Sequence, residues 1–464
     1  MLPAADSGLP CPAALRQPVL QGETLPSRWR FAQLERLEAL LREAEQSVPA
    51  ALAADLGKPA LEAGFELSIV RAELRHSRRH LRRWMRPRRR TLPLWTQPAR
   101  ARVEATPLGC VLILSPWNYP FQLCLQPLVS ALAAGNTAVL KPSERAPASA
   151  ALIAQLVERH LPSSCVQVAL GDGRVAARLV EAGFDHILFT GSAPVGRRVM
   201  EAAARSLTPV TLELGGRNPA IVLADADLAV TARRLAWGKS LNAGQSCVAP
   251  DHLLVVPAIR DALVAAIAAS WRRFHGDHPL TSPDLAQVID SVAFERLEAL
   301  LQQAHREGRI LAGGASDRQA RRIEPTLIAV HDRDADPLLQ EELFGPLLPV
   351  LEVADLESAL EWLRRSPPPL TLSLFGGGAA ERRRLLAGSR SGSVVFNDVI
   401  LPAALAPLPF GGVGASGMGS THGEAGFLAF SQQRSVLERG FRLDLPLRYP
   451  PYAGKLGLMR RLLG

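Results

Sequence analysis

Through the middle of the chain, short apolar runs alternate with longer segments of helical period. Residues 110–114, 137–140, 166–170, 186–189 and 210–214 are mostly apolar and read as buried strands. The segments 120–134, 148–160, 175–182 and 195–204 read as helices between them. This alternation predicts a parallel sheet covered on both faces, a doubly wound domain of the nucleotide-binding type. A second series of apolar runs, at 220–223, 253–256, 348–351, 370–375 and 394–396, predicts a second α/β domain.

Flanking segments read differently. Leu34, Leu37, Leu40 and Leu41 share one helical face over 26–54, and Gly57-Lys58-Pro59 stops that helix. Another helix runs past Ile69, Leu74 and Leu81 and breaks near Pro87. Residues 1–20 read as loosely ordered and 94–108 as an extended arm. The tail from Leu443 is Pro-rich, then basic and apolar, and too short to span a bilayer. No internal repeat is visible.

The uncharged stretch between Glu104 and Lys141 changes little. Pro107, Pro116, Pro120 and Pro127 rule against one continuous membrane helix there. At 464 residues, two or three domains with ample core are expected. The net charge of +9 is local, because 71–90 holds ten Arg and one Glu. That patch reads as an Arg-rich helix face at the surface or at a subunit contact. Nucleic acid or anionic membrane is the alternative, but no stacking aromatics or binding motif accompany it. Five widely spaced cysteines predict neither a disulfide framework nor a metal site. With no signal-peptide pattern in 1–18, a reducing, cytoplasmic setting is expected.

Two stretches carry candidate chemistry. Asn242-Ala243-Gly244-Gln245-Ser246-Cys247 ends a helical pattern in a polar turn, where free backbone N–H groups can lower a thiol pKa. Thr211-Leu212-Glu213-Leu214-Gly215-Gly216 ends a strand with a carboxylate beside two glycines. A nucleophile and a base thus come from separate segments. Cys110, Cys124 and Cys165 lie in apolar runs and read as packing. Gly412-Val413-Gly414-Ala415-Ser416-Gly417 matches GxGxxG but does not join a strand to a helix, so it is set aside. Gly171-Asp172-Gly173 and the turn Thr190 to Gly196 do join strand to helix. Each fits a phosphate-binding turn or an ordinary βα turn, and spacing leaves both open.

Taken together, these motifs resemble the aldehyde dehydrogenases, most closely the class 3 branch. The matching pieces are Pro116-Trp117-Asn118-Tyr119-Pro120, Lys141-Pro142-Ser143-Glu144, Phe189-Thr190-Gly191-Ser192, Leu212 to Gly216, Gly244 to Cys247, Glu342-Leu343-Phe344-Gly345-Pro346 and Pro409 to Gly414. The resemblance implies two doubly wound α/β domains, cofactor-binding and catalytic, plus a small β oligomerisation arm. Its boundaries would be 1–93 and 110–213 for the NAD(P)-binding domain and 214–408 for the catalytic domain. Segments 94–109 and 409–440 would be oligomerisation elements, and 441–464 a tail.

The resemblance also implies roles. Cys247 would attack an aldehyde, Asn118 and the Cys247 backbone N–H would hold the oxyanion, and Glu213 would activate the hydrolytic water. Lys141 and Glu144 would hold the adenosine ribose of NAD, with Gly191, Ser192 and Gly196 along the adenine and pyrophosphate. Glu342 would bind the nicotinamide ribose and Phe344 would pack near the ring. Tyr119 and Trp237 would line the substrate funnel. NADP is the alternative cofactor, although the charge of Glu144 disfavours a 2′-phosphate. No metal, nucleic acid or transmembrane segment is expected, and a homodimer is.

Two departures stand out. Arg217-Asn218 replaces the Lys-Ser often found after the Gly-Gly, and Leu401-Pro402 replaces a Leu-His near the substrate mouth. The rival readings are a CoA-acylating aldehyde dehydrogenase and a catalytically silent anion-binding protein using the 71–90 patch.

Overall fold

The computed structural model describes residues 8–332, 334–442, 444 and 446–463. The start of the first predicted domain and parts of the tail therefore lie outside the described residues.

The first strand series forms a six-stranded sheet. Its order is Gly417–Met418, Val210–Leu214, His186–Gly191, Cys110–Leu114, Thr137–Lys141, Val166–Val168, parallel except at the Gly417–Met418 edge. Period-two alternation divides each strand between two cores. Val111 and Ile113 face helices Ser27–Leu56, Ala60–Trp84 and Pro120–Ala134. Cys110, Leu112 and Leu114 face the other side, under helices Gly173–Val180 and Ala193–Ala204. Both faces being covered explains why these strands read as continuous apolar runs.

The second series forms a seven-stranded sheet. Its order is Ile310–Ala312, Thr326–Ala329, Leu347–Glu352, His252–Val255, Pro219–Val222, Thr371–Phe375, Ser393–Phe396. The sequence pattern does not reveal Ile310–Ala312 and Thr326–Ala329. They are three and four residues long, too short to show a period.

Three expectations need correction. Residues 12–20 are not loose, because Pro12–Leu20 is a helix. Leu15 packs with Cys110 and Leu112, Thr137 Oγ1 donates to Leu15 O at 2.7 Å, and Arg16 pairs with Asp185 at 2.7 Å. The Arg patch is not one helix face. The helix ends at Trp84, and Arg88–Arg90 is a strand. Four of the patch's arginines are also paired, Arg71 with Glu45, Arg78 with Glu35 and Glu38, and Arg83 and Arg88 with Glu424.

The third correction concerns the arm, which has no open edge. Ala99–Pro107 is the middle strand of an antiparallel sheet, flanked by Arg88–Arg90 and Ser431–Arg439. The edge strands are Arg88–Arg90 and the longer Ser431–Arg439, on which Leu437 is exposed. Among the described residues, no helix is long and apolar enough to cross a membrane.

Candidate active site

Helix Leu228–Ser240 delivers the chain into a turn that an L-residue rarely adopts. Asn242, Ala243 and Gly244 have φ of 50°, 51° and 72°. Left-handed backbone costs a non-glycine residue roughly 1–2 kcal/mol, so the turn must be held from outside. Asn242 N donates to Glu62 Oε2 at 2.9 Å. Gln245 Nε2 donates to Asn242 O at 3.0 Å and Gln287 O at 2.8 Å, while its Oε1 accepts from Ile289 N at 3.0 Å. A Cβ on Gly244 would come within 2.3 Å of Gly345 O, so only glycine lets the turn lie on that segment. Beyond the cysteine, Asn218 Nδ2 donates to Cys247 O at 2.6 Å and Ala249 O at 3.1 Å. Cys247 is pinned on both sides.

Asn118 belongs to the same network. Its Nδ2 donates to Gln245 O at 3.1 Å, and its own carbonyl accepts from Asn242 Nδ2 at 2.9 Å. Beneath it lies a fully buried ion pair, Lys58 Nζ to Glu66 Oε1 at 2.7 Å. Lys58 also donates to Asn118 O at 2.7 Å and stands 4.0 Å from the Tyr119 ring centre. Glu66 Oε2 accepts from Phe121 N and Gln122 N at 3.0 and 3.1 Å, where a carboxylate suits a helix N-terminus. Removing one partner of such a pair typically costs about 3–5 kcal/mol, because the other charge is left buried.

The carboxylates around Cys247 set its electrostatics. Burial pushes Glu213 up to about 7, opposed by the hydroxyl of Thr421, which donates to Glu213 Oε1. Burial and then Asp251 push Glu342 up to about 8, opposed by a hydrogen bond from Gly216 N–H. A Cβ on Gly215 would come within 2.0 Å of Glu342 Oε2, which accounts for the glycine there. Burial first, then the charges of Glu342 and Glu213, raise the Cys247 thiol. This reverses the expectation from the polar turn. The turn can offer N–H groups, but the tertiary fold buries the sulfur and adds the charges of two carboxylates. Cys110, Cys124 and Cys165 are buried packing, each pushed up to about 12 by burial.

Lys141 and Gly191, among the predicted cofactor residues, end two parallel strands that flank Cys110–Leu114. Lys141 closes Thr137–Lys141 and pairs with Glu144. Gly191 closes His186–Gly191, and Ser192 precedes helix Ala193–Ala204 without capping it. The glycines have packing reasons of their own. A Cβ at 191 would come within 2.6 Å of the Phe189 ring, and one at 196 within 2.7 Å of Leu214. At the rival turn, Asp172 caps helix Gly173–Val180 by accepting from Arg174 N and Val175 N, which makes it an ordinary βα turn. Phe344, at φ 47°, meets Trp117 edge-on at 5.4 Å. Trp237 and Cys247 pack half-buried against one core cluster, and the buried Tyr119 hydroxyl has no hydrogen-bond partner.

The structure thus joins Asn118 and the Cys247 turn by hydrogen bonds and couples Cys247 electrically to Glu213 and Glu342. Sequence reasoning gave no role to Lys58, Glu62, Glu66, Asn218 or Thr421. No spacing signal could have found them. Lys58 and Asn118 are 60 residues apart, and Thr421 and Glu213 are 208 apart.

Comparison with known proteins agrees along nearly the whole chain. The sequence model of the Aldehyde dehydrogenase family matches residues 13–436. Aldehyde dehydrogenase family 3 member H1 of Arabidopsis thaliana is 42% identical over 453 residues, covering 97% of this chain and 93% of its own. Family 3 member B1 of Homo sapiens is 44% identical over 440 residues, covering 94% and 93%. The solved substrate-bound state of Staphylococcus aureus AldH superposes with a TM-score of 0.93 at 36% identity, covering 97% of this chain and 98% of that one. By its sequence, its fold and this site, the chain belongs to the aldehyde dehydrogenase family, as an NAD(P)-dependent enzyme that oxidises aldehydes to acids.

Proposed function

We propose that Cys247 is the nucleophile, Asn118 and the Cys247 backbone N–H the oxyanion donors, and Glu213 the general base. The observation that carries this reading is Glu213 itself. Its buried carboxylate, pushed up to about 7, acts on Cys247 electrically, and a base is most useful when its pKa lies near the working pH. Cys247 adds as its thiolate to the aldehyde carbon, its proton having left to solvent, and forms the thiohemiacetal. Asn118 Nδ2 and the Cys247 N–H stabilise the negative oxygen, an interaction worth roughly 3–4 kcal/mol when aimed at developing charge. Loss of hydride from the thiohemiacetal leaves a thioester on Cys247. Glu213 then takes a proton from water as the water attacks that thioester, and passes it to the departing sulfur, releasing the acid and the thiol.

The residues present fit a nicotinamide dinucleotide. The Lys141–Glu144 pair suits ribose hydroxyls, the uncapped N-terminus after Ser192 suits pyrophosphate, and Glu342 suits the second ribose. The bound cofactor supplies the hydride acceptor. Glu144 favours NAD over NADP, because a 2′-phosphate would meet its charge. Gly191 and Gly196 shape this turn, Phe344 packs beside the nicotinamide position, and Tyr119 and Trp237 line the substrate path.

The domain division follows the two sheets, with 1–93 and 110–213 holding the cofactor and 214–408 the nucleophile. The enzyme is a cytoplasmic homodimer built on the 94–109 and 409–440 elements. The exposed edge of Ser431–Arg439 supports pairing with a second copy. A monomer in sedimentation at micromolar concentration would refute it.

Rapid-mixing absorbance tests the chemistry. Cys247→Ala should produce no NADH, even in the first turnover. Glu213→Gln should give a burst of one NADH per site and then stall, since a positioned base contributes roughly 10²–10⁴-fold. Hydroxylamine should restart turnover by attacking the thioester in place of water. Full steady turnover by Glu213→Gln would remove Glu213 from the mechanism.

A further inference from the structure

Thr421 lies outside every motif that marks the site, yet its hydroxyl touches the proposed base. Thr421 Oγ1 donates to Glu213 Oε1 at 2.5 Å, and the next acceptor, Phe410 O, is at 3.4 Å. The hydroxyl has one proton, so it goes to the nearer carboxylate. The two residues are 4% and 5% exposed, which leaves little room for water to replace that donor.

Thr421 cannot turn away freely, because its backbone is held from three sides. Thr421 N donates to Phe410 O at 2.7 Å, and Phe410 N donates to Thr421 O at 3.1 Å. Just upstream, Gly417–Met418 pairs with Leu212 and Glu213 themselves. Just downstream, the His422 ring stacks on Phe410 at 5.1 Å, and Gly423 N donates to Glu73 Oε1 at 2.8 Å.

We propose that Thr421 is a positioning residue for the reaction, whose hydroxyl orients Glu213 and stabilises its carboxylate form so that it is available as base near neutral pH. The inference rests on the assignment of Glu213 above. Other titratable groups lie on the elements around this pair. Cys247 feels the charges of Glu342 and Glu213. His422 and His186, on adjoining elements, are pushed down to about 4 by burial and so are neutral at neutral pH. Glu73 stands behind Gly423, pushed up to about 7 by burial. None of these donates a hydrogen bond to the Glu213 carboxylate, whereas the Thr421 hydroxyl does.

The sign follows from the charge state. A donor to the carboxylate favours the deprotonated form, and burial opposes it. Losing the donor moves the Glu213 titration to higher pH. On the acid side of that titration, the fraction of active base falls about tenfold when the pKa rises by one.

The test follows acyl-enzyme hydrolysis across the neutral range, after one NADH equivalent has formed. Thr421→Val keeps the β-branched shape and removes the donor. It should move the inflection to a pH higher by about one, giving roughly tenfold loss on the acid side that disappears on the alkaline side. Thr421→Ser restores the hydroxyl and should return the inflection toward the parent position. Added to Glu213→Gln, Thr421→Val should cause no further loss, as expected for two groups acting together. If the valine variant does not fold by circular dichroism, Thr421→Ala is read by the same criteria. An unmoved inflection, or an equal loss at every pH, overturns the proposal. Parent-rate hydrolysis by Glu213→Gln alone would instead overturn the assignment of the base.

Discussion

The turn that carries Cys247 and the glycine loop beside Glu213 both leave ordinary backbone space, and they do so by opposite means. In the Cys247 turn, Asn242 and Ala243 are left-handed although neither is glycine. Side chains hold them, Gln245 from within the turn, and Glu62 and, past the cysteine, Asn218 from other segments. In the loop between Phe410 and Thr421, the strained positions are glycines, and the loop is held by its own backbone against a strand. Gly417, at φ 135°, pairs with Glu213, and a Cβ there would come within 2.1 Å of Leu212 O. Within the GxGxxG spacing, Gly412 and Gly417 serve close backbone approach and Gly414 a left-handed φ of 63°. Where side chains are needed near the chemistry, strain is tolerated and offset by hydrogen bonds. Where only a support is needed, glycine avoids the strain.

This contrast is tested most severely at Gly417. Gly417→Ala combines a left-handed clash with a backbone collision, and about 4 kcal/mol of stability should be lost. Chemical denaturation would measure it, and a loss within error of zero would mean that the loop is not tightly seated.

Gln245→Ala should be milder, near ~3 kcal/mol. It removes three hydrogen bonds and leaves Ile289 N buried without its acceptor. Because Gln245 O also receives Asn118 Nδ2, the first-turnover rate should fall together with stability. A stability loss with an unchanged burst rate would separate the clamp from the oxyanion donors.

The smallest effect, and of opposite sign, belongs to Ala243→Gly. Glycine adopts φ 51° without penalty, so the variant should gain about 1 kcal/mol. Thermal unfolding under matched conditions decides it. A lower melting temperature would show that the Ala243 methyl packs better than the strain costs.

Much of the scaffold was legible in the chain because period reports burial. Strands 110–114 and 210–214 were readable from their apolar runs, and Gly57, at φ 59°, stops helix Ser27–Leu56 at the predicted place. The helix Pro12–Leu20 was not legible. Two prolines in nine residues, Pro18 inside the helix, mask it, and it docks on the Cys110–Leu114 strand through Leu15. Likewise the break near Pro87 was legible, but the strand at 88–90 was not, because it depends on its partner 99–107.

From the order of its residues alone, this chain shows most of its element types, its family and the candidates Cys247, Glu213 and Asn118, because periodicity and short motifs are local properties. Tertiary structure decided which groups surround them. The buried Lys58–Glu66 pair under Asn118, the Asn218 clamp and the Thr421 hydroxyl on Glu213 all come from remote segments. The direction in which the Cys247 pKa moves was decided there too, since a thiol's pKa follows from burial and neighbouring charge. Those depend on which surfaces meet in three dimensions, and no stretch of sequence encodes that by itself.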